Sequence, residues 1–184
     1  KSLKLRHYFA PYVSYYISLL IENNKLSLAK KYIVKAWNFS SHPDYKNEIK
    51  KLSEKLKIPF ENLVIDIIAN SKNAYDSKIL LASSFIESKK WLEAKKSLSS
   101  LLEHKPSKEV CILMSIIEKG DSNDPQKINA WISRSNFGEL NKIWICQINK
   151  TSQEEWTSVS NSGYFNSLEW GKPELFKNII SSNV

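Results

Sequence analysis

Apolar residues in the first two thirds of the chain recur with the period of an α-helix, and this periodicity constrains the fold more than any other feature. In residues 11–21, Val13, Ile17 and Leu20 fall on one face of a helix. Three further stretches share the pattern: residues 26–39, 43–57 and 60–69. The sequence therefore predicts a series of amphipathic helices joined by short loops.

Glycine is scarce, since only four of the 184 residues are glycine. Rossmann folds, P-loops and turn-rich barrels need glycine where the backbone approaches a phosphate or turns tightly. Nucleotide-binding enzymes of those classes are therefore excluded. A hydrophobic content of 42% is enough for one sizeable core or for an elongated array.

Two of the helical hairpins share a spacing of small and apolar residues. Ala82 and Ala94 are twelve positions apart, and the same step separates Ile17 from Ala29 in the first hairpin. This spacing fits the tetratricopeptide (TPR) pattern, in which small residues let two helices cross closely. A third, looser unit covers residues 108–135. Since one hairpin cannot bury its apolar face alone, the predicted fold class is an all-α, TPR-like solenoid with a concave side.

Helical periodicity fades after residue 136, where aromatic residues stand among Ser, Asn, Thr and Gly. We expect residues 1–136 to form the helical repeat array and residues 137–184 to form an aromatic-rich C-terminal extension. The extension is predicted to be mostly irregular. It has candidate short strands at residues 142–148, 155–159 and 164–169, and a candidate final helical turn at residues 174–180.

The aromatic residues of this extension resemble those of one protein family. The matching residues are, in order, Trp144, Trp156, Val159-Ser160, Gly163 and Trp170. Their order and spacing are similar to the Trp-rich tail of the alphaproteobacterial HemY family, and residues 88–95 resemble that family's G-x-W-x-x-A-R segment. The similarity covers residues 11–173. Two departures are Ser158, where the family often has proline, and Asn166-Ser167, where it has Asp-Ala.

The resemblance to HemY implies a non-enzymatic TPR scaffold of the bacterial inner membrane, associated with late haem (porphyrin) biosynthesis. Its partners would be other proteins, among them terminal haem-pathway enzymes. It also implies two N-terminal transmembrane helices outside this segment, which would itself be a soluble domain on the cytoplasmic side. The sequence has no run of about 18 apolar residues, so no part of it is predicted to span a bilayer.

Two other functions are compatible with the sequence. One is a carrier that binds a tetrapyrrole, with a histidine as axial ligand of the haem. The other is a TPR adaptor in envelope or lipopolysaccharide assembly, a class whose tail carries two CxxC pairs. Here Cys111 and Cys146 are far apart and neither belongs to such a pair, so we predict no metal site and a buried, apolar role for Cys111.

No combination of residues indicates catalysis. His7, His42 and His104 are isolated, without a nucleophile or a carboxylate at a suggestive spacing. We expect each of them to be a solvated or capping histidine. The prediction is that the protein is not an enzyme and needs no cofactor, with haem as the one candidate ligand.

The net positive charge of the chain comes from its first third. Residues 1–57 contain twelve Lys and Arg against four Asp and Glu, whereas the remainder has fifteen of each. Anionic lipid headgroups would attract such a segment. Nucleic acid is not expected as a partner, because it binds in a basic groove with aromatic residues on which bases stack. The lysines of this segment are instead spread around the faces of the predicted helices. The alternative to an electrostatic role is that the many lysines only reflect an AT-rich genome.

The concave side is the predicted protein-binding groove, where an extended or helical partner segment would dock. The candidate groove residues are Tyr12, Tyr15, Tyr16, Lys78 and Ser84. The structural residues of the extension are Trp144, Trp156, Gly163 and Trp170. The extension has two interpretations, a cap on the apolar end of the solenoid or a second binding surface.

Overall fold

The computed structural model describes residues 8–103 and 105–173. In this part of the chain, eight α-helices are followed by three short strands. The helices are α1 (Ala10–Glu22), α2 (Leu26–Phe39), α3 (Tyr45–Leu56), α4 (Phe60–Ile68), α5 (Tyr75–Glu87), α6 (Trp91–Leu98), α7 (Lys108–Asp121) and α8 (Pro125–Ser135). The strands are β1 (Ile143–Cys146), β2 (Ser152–Gln153) and β3 (Leu168–Gly171). The protein is thus mostly helical, as predicted, with a small sheet at its C-terminal end.

Each pair of helices is closed by a turn that contains one residue in the left-handed backbone conformation. These residues are Asn24, Lys57, Lys89 and Asn123, which follow one another at intervals of 33, 32 and 34 residues. In the first three turns, the next residue donates its backbone N–H to a carbonyl five positions earlier, in the manner of a Schellman motif. The hairpins therefore share one turn geometry although glycine, its usual residue, is absent from all four positions.

The helices bury two apolar cores. The first joins α1–α4 with Leu80 of α5, and the second joins α5–α8 around Ala82, Ala94 and Met114. Ala82 and Ala94 are fully buried, as expected of small residues where helices cross. Cys111 is also buried, as predicted.

Buried glutamates connect successive hairpins. Glu48 of α3 accepts a hydrogen bond from Ser18 of α1 at 2.8 Å, and Glu61 of α4 accepts one from Lys90 at 2.7 Å. Hydrogen bonds from Lys90 and Ser88 lower the pKa of Glu61 to about 2, against the effect of its burial. Each of these buried carboxylates thus has a hydrogen-bond donor, as a charged group between hairpins requires.

The strands form an antiparallel sheet in the order β2-β1-β3. The predicted strand at 142–148 is present as β1, and the one at 164–169 begins later, at Leu168. The prediction of a strand at 155–159 is wrong. There, Gln153 donates to the carbonyl of Glu155 and Thr157 donates to that of Val159, so side chains compete with strand pairing for the backbone.

Some predictions lie outside the described residues, namely His7, His104 and the helical turn at 174–180. Within the described residues, no helix combines the length and the apolar character that crossing a bilayer requires. One helix boundary also differs from the prediction. Helix α3 begins at Tyr45, because Pro43 lies in the preceding turn.

The left-handed turns yield a prediction about stability. Lys57 has φ 55° and ψ 37°, a conformation that costs a residue with a Cβ about 1 kcal/mol. Replacing Lys57→Gly should therefore raise the free energy of unfolding by about 0.5–1 kcal/mol. The control Lys35→Gly, at an exposed position inside α2, should lower it by about 1 kcal/mol. Urea unfolding monitored by circular dichroism would measure both; a destabilised Lys57→Gly protein would contradict this account of the turn.

Candidate binding cleft

A cleft of about 880 Å³ lies between the helices and the C-terminal sheet. Its walls come from five parts of the chain: the start of α3 with the end of α2, one face of α5, the turn after α6, the start of α7 with the residues before it, and the segment around the sheet. The volume lies within the range of sites that hold small ligands or parts of a partner protein. Because these segments are far apart in sequence, the cleft exists only in the folded chain.

The floor of the cleft is apolar and its edge is charged. Floor residues from α5 and α7 include Ile79, Leu80, Ile112 and Leu113. The charged lining residues are Lys46, Asp76, Lys105, Glu109, Glu139, Lys142 and Lys172. Such a surface suits a partner that presents apolar side chains flanked by charges, since the floor contributes affinity and the edge contributes specificity.

The carboxylates of the cleft differ in their surroundings. Glu139 accepts a hydrogen bond from Lys172 at 2.8 Å, which lowers the pKa of Glu139. Burial, followed by the charge of Asp76, raises the pKa of Glu109. Within the described residues, neither Asp76 nor Glu109 has a lysine or arginine nitrogen within 4.0 Å. Asp76 instead accepts a hydrogen bond from Ser41 at 2.5 Å. A cationic group on a partner would find these two carboxylates without a lysine or arginine partner.

One hydrogen bond fixes the two helices that form the floor. The hydroxyl of Tyr75, at the start of α5, lies 2.5 Å from the Ser107 hydroxyl that caps α7. The Ser107 side chain also accepts the backbone N–H of Val110. The Ser107 side chain therefore both caps α7 and connects α7 to α5 in the wall of the cleft.

The structure does not bring the five predicted groove residues together in this cleft. Tyr12 packs against Trp156 of the extension, and Tyr16 packs against Tyr32. Tyr15 is exposed, and Lys78 donates to Ser100 at 2.6 Å without lining the cleft. Ser84 is fully buried, so its proposed place in a groove is wrong.

The error on α5 is one of helix face. The cleft is lined by Asp76, Ile79 and Ser83, which are spaced i, i+3 and i+7, whereas the predicted residues were Lys78 and Ser84. A shift of one position rotates a side chain by about 100° around a helix. A face that carries a carboxylate, an isoleucine and a serine at helical spacing was a visible signal. The sequence held no comparable signal for Glu109, Glu139 and Lys142, because their place in the cleft depends on separate chain segments meeting in space.

The C-terminal sheet packs against the start of the chain. The ring of Trp144 lies 5.9 Å from that of Phe9, just before α1, and 5.4 Å from the imidazole of His42, between α2 and α3. Trp170 stands 4.3 Å from the same imidazole. Trp156 contacts Phe9 at 5.4 Å. Among the described contacts, these aromatic residues thus pack on Phe9 before α1 and on His42 after α2, at the N-terminal end of the helical array.

His42 is buried at this interface, with 3% of its surface exposed, so the prediction of a solvated histidine is wrong. Its Nδ1 accepts the backbone N–H of Asp44 at 3.3 Å, just before α3, and α3 has no side-chain cap. Burial, with a smaller effect from Lys142, lowers the pKa of His42 to about 4. Trp170 and Trp144 stand beside the ring, so an iron atom could reach it only if they moved.

Three buried polar atoms of this interface have no hydrogen-bond partner in the part of the chain that the structure describes. They are Nε2 of His42, the hydroxyl oxygen of Tyr45 and Nε1 of Trp144. An unpaired buried polar group costs roughly 1–3 kcal/mol. The interface is therefore stabilised by aromatic packing, and hydrogen bonding contributes little to it.

Another part of the tail is organised by a turn at Gly163. Gly163 has φ 85°, which favours glycine, and the turn it forms lets Tyr164 donate its N–H to the side chain of Ser160. The thiol of Cys146 is buried, which by itself raises its pKa. Hydrogen bonds with the side chain of Ser167, with the backbone of Asn149 and Ile148 and with the side chain of Ser160 lower that pKa to about 7. Within the described residues, no three His, Cys, Asp or Glu side chains are arranged to hold a metal ion.

Comparisons with protein-family models, with curated proteins and with solved structures each find no match to this chain. Its function must therefore be inferred from its residues and their geometry.

The aromatic interface yields a second prediction about stability. Trp144 is 2% exposed, so Trp144→Ala should lower the free energy of unfolding by about 3–5 kcal/mol through the lost burial and the cavity left behind. Phe165→Ala is the control, since that ring is 77% exposed, and should change it by less than about 0.5 kcal/mol. Guanidinium unfolding measures both. Equal effects would mean that the extension does not depend on this contact.

The burial of His42 predicts a dependence of stability on pH. The pKa is about 4 in the folded protein and about 6.5 when unfolded, so the unfolded state binds more protons between these values. Stability should fall as pH decreases from about 6.5 to about 4, by up to about 3 kcal/mol. His42→Gln should remove this part of the slope. Asp44 Oδ2 lies 3.4 Å from His42 Nδ1, so the comparison is made in an Asp44→Asn background, where the difference isolates the histidine. Identical slopes with and without His42 would contradict the prediction.

Proposed function

We propose that this chain is a non-enzymatic, TPR-like scaffold that binds partner proteins in the cleft between its helices and its C-terminal sheet. We also propose, from the resemblance to HemY, that it acts at the bacterial inner membrane, on the cytoplasmic side, in late haem (porphyrin) biosynthesis. Terminal enzymes of that pathway would be its partners. The cleft is the observation that carries the proposal.

The regular turns support the TPR-like interpretation. Their intervals of 33, 32 and 34 residues are close to the 34 residues of a TPR unit. The first interval also indicates a hairpin, α3–α4, that the twelve-residue spacing of small residues did not identify. A four-hairpin array would present its odd-numbered helices on one side, and α3, α5 and α7 all contribute to the cleft.

The composition of the cleft supports recognition of a protein segment. Its apolar floor, formed by side chains such as Ile112 and Leu113, continues into charged residues of both signs. A partner helix or extended segment with apolar anchors could bury those anchors on the floor. Its cationic residues could then pair with Asp76 and Glu109, and its anionic residues with Lys105 and Lys142.

Photo-crosslinking tests this function. Ile112 and Ile116 lie one turn apart on α7 and are both 41% exposed, but only Ile112 lines the cleft. With benzoylphenylalanine at position 112, in the protein within its own cells, we expect a terminal haem-pathway enzyme to be captured and identified by mass spectrometry. At position 116, the same enzyme should be captured at least about tenfold less, because that residue does not line the cleft.

Two results would contradict the proposal. Equal capture at both positions would mean that the cleft is not the binding site. Specific capture at position 112 of lipopolysaccharide or other envelope-assembly factors would contradict the link to haem and leave a TPR-like adaptor of another pathway.

A further inference from the structure

Helix α2 has an outward face that combines lysine with exposed apolar side chains. Leu28 is 46% exposed and Phe39 is 68% exposed, and Lys31 and Lys35 lie between them along the helix. At 100° per residue all four fall within an arc of about 80°. From Leu28 to Phe39 the stripe is about 16 Å long. The face opposite is the buried one, which carries Ala29, Ile33, Ala36 and Trp37.

The lysines of this stripe are not used to stabilise the fold. Other lysines of the basic first third are paired: Lys30 with Asp66 at 2.7 Å, and Lys46 and Lys50 with Glu87 at 3.0 and 2.7 Å. Within the described residues, Lys31 and Lys35 have no carboxylate within 4.0 Å. Helix α2 itself contains no acidic residue. The folded chain thus pairs Lys30, Lys46 and Lys50 with carboxylates of other helices and leaves Lys31 and Lys35 unpaired on the outer face of α2, as it also leaves Lys25, Lys55 and Lys57 among the described residues.

The stripe carries two costs, which the contact of the Phe39 ring with that of Tyr8, 4.8 Å between centroids, offsets only in part because Phe39 remains largely exposed. Like charges at i and i+4, such as Lys31 and Lys35, destabilise a helix by a few tenths of a kcal/mol. Phe39 and Leu28 expose apolar surface to water next to them. An anionic surface with an apolar interior would relieve both.

We propose that this face of α2 lies on an anionic lipid bilayer. Lys31 and Lys35 would contact headgroup phosphates, with Leu28 and Phe39 inserted at the acyl boundary between them. Long lysine side chains can extend to the headgroups while their methylene groups remain near the apolar side chains. The proposal uses a face of α2 that does not line the cleft, where α2 contributes only Trp37. Bilayer binding can therefore fail without affecting the proposed binding of a partner in the cleft, and the reverse is also true.

Vesicle binding tests the proposal. The probes are vesicles of phosphatidylcholine with one quarter phosphatidylglycerol, and vesicles of phosphatidylcholine alone, sedimented with the protein. Lys31→Gln/Lys35→Gln should reduce partitioning to the anionic vesicles about thirtyfold, at about one decade per 1.4 kcal/mol and about 1 kcal/mol per lysine. Leu28→Ser/Phe39→Ser should reduce it about fivefold, and that loss should persist at 0.5 M salt, where electrostatic attraction is screened.

Matched controls exist elsewhere in the chain. Lys96→Gln/Lys119→Gln removes the same charge from exposed positions on α6 and α7. Leu92→Ser/Ile148→Ser removes apolar side chains of similar exposure, 60% and 59%. Each control should change partitioning less than about threefold. Circular dichroism on every variant establishes that it is folded.

Three results would overturn the proposal. The first is an equal loss for the α2 pair and its charge-matched control, which would mean that only the net charge of +8 attracts the vesicles. The second is equal binding to neutral and anionic vesicles. The third is tighter binding of a 20-nucleotide RNA than of the anionic vesicles, reduced by the same Lys31→Gln/Lys35→Gln change, which would assign the face to nucleic acid.

Discussion

The packing of Trp144 and Trp170 around His42 is the contact on which the candidate site depends. It joins residues about a hundred positions apart and brings the C-terminal sheet beside the first hairpin. Closing so large a loop costs conformational entropy, which the burial of several aromatic rings must offset. Without this contact the cleft would lose the wall that includes Lys142, Trp170 and Lys172. The charge of a protonated His42 would weaken the contact, because Nε2 has no acceptor among the described residues.

The four helical hairpins have regularly spaced turns although none of these turns has glycine at its left-handed position. Four turns adopt the left-handed conformation with Asn or Lys instead of glycine, and each hairpin still closes at nearly the same interval. The local cost is small compared with the apolar surface that each hairpin buries on its neighbour. Buried glutamates such as Glu61 and Glu118 then connect neighbouring hairpins through lysines, which accounts for part of the acidic content of the middle of the chain.

Charge is distributed according to position in the fold. Lysines that lie between helices find carboxylates, as Lys46 and Lys50 find Glu87, whereas those on the outer face of α2 do not. The edge of the cleft carries charges of both signs, and its carboxylates Asp76 and Glu109 have no lysine or arginine nitrogen within 4.0 Å among the described residues. The two surfaces would therefore attract different partners, a bilayer on the outside and a protein segment in the cleft.

The helices could be predicted from the sequence alone, because an amphipathic helix shows itself in the spacing of nearby apolar residues. Helix α2 was predicted with the bounds that the structure has. The buried alanines at the helix crossings and the buried Cys111 followed from the same pattern. The irregular structure of residues 155–159 could not be predicted, because side-chain hydrogen bonds from Gln153 and Thr157 replace the strand pairing that the composition suggested.

The burial of His42 and the residues of the cleft were decided only by the tertiary structure. An isolated histidine in a loop gives no sign that two tryptophans from the far end of the chain will cover it. Likewise, the choice of Asp76, Ile79 and Ser83 over Lys78 and Ser84 depends on which face of α5 its neighbours leave open. Local periodicity determines which residues form a helix, but long-range packing determines which of its faces remain accessible to a partner.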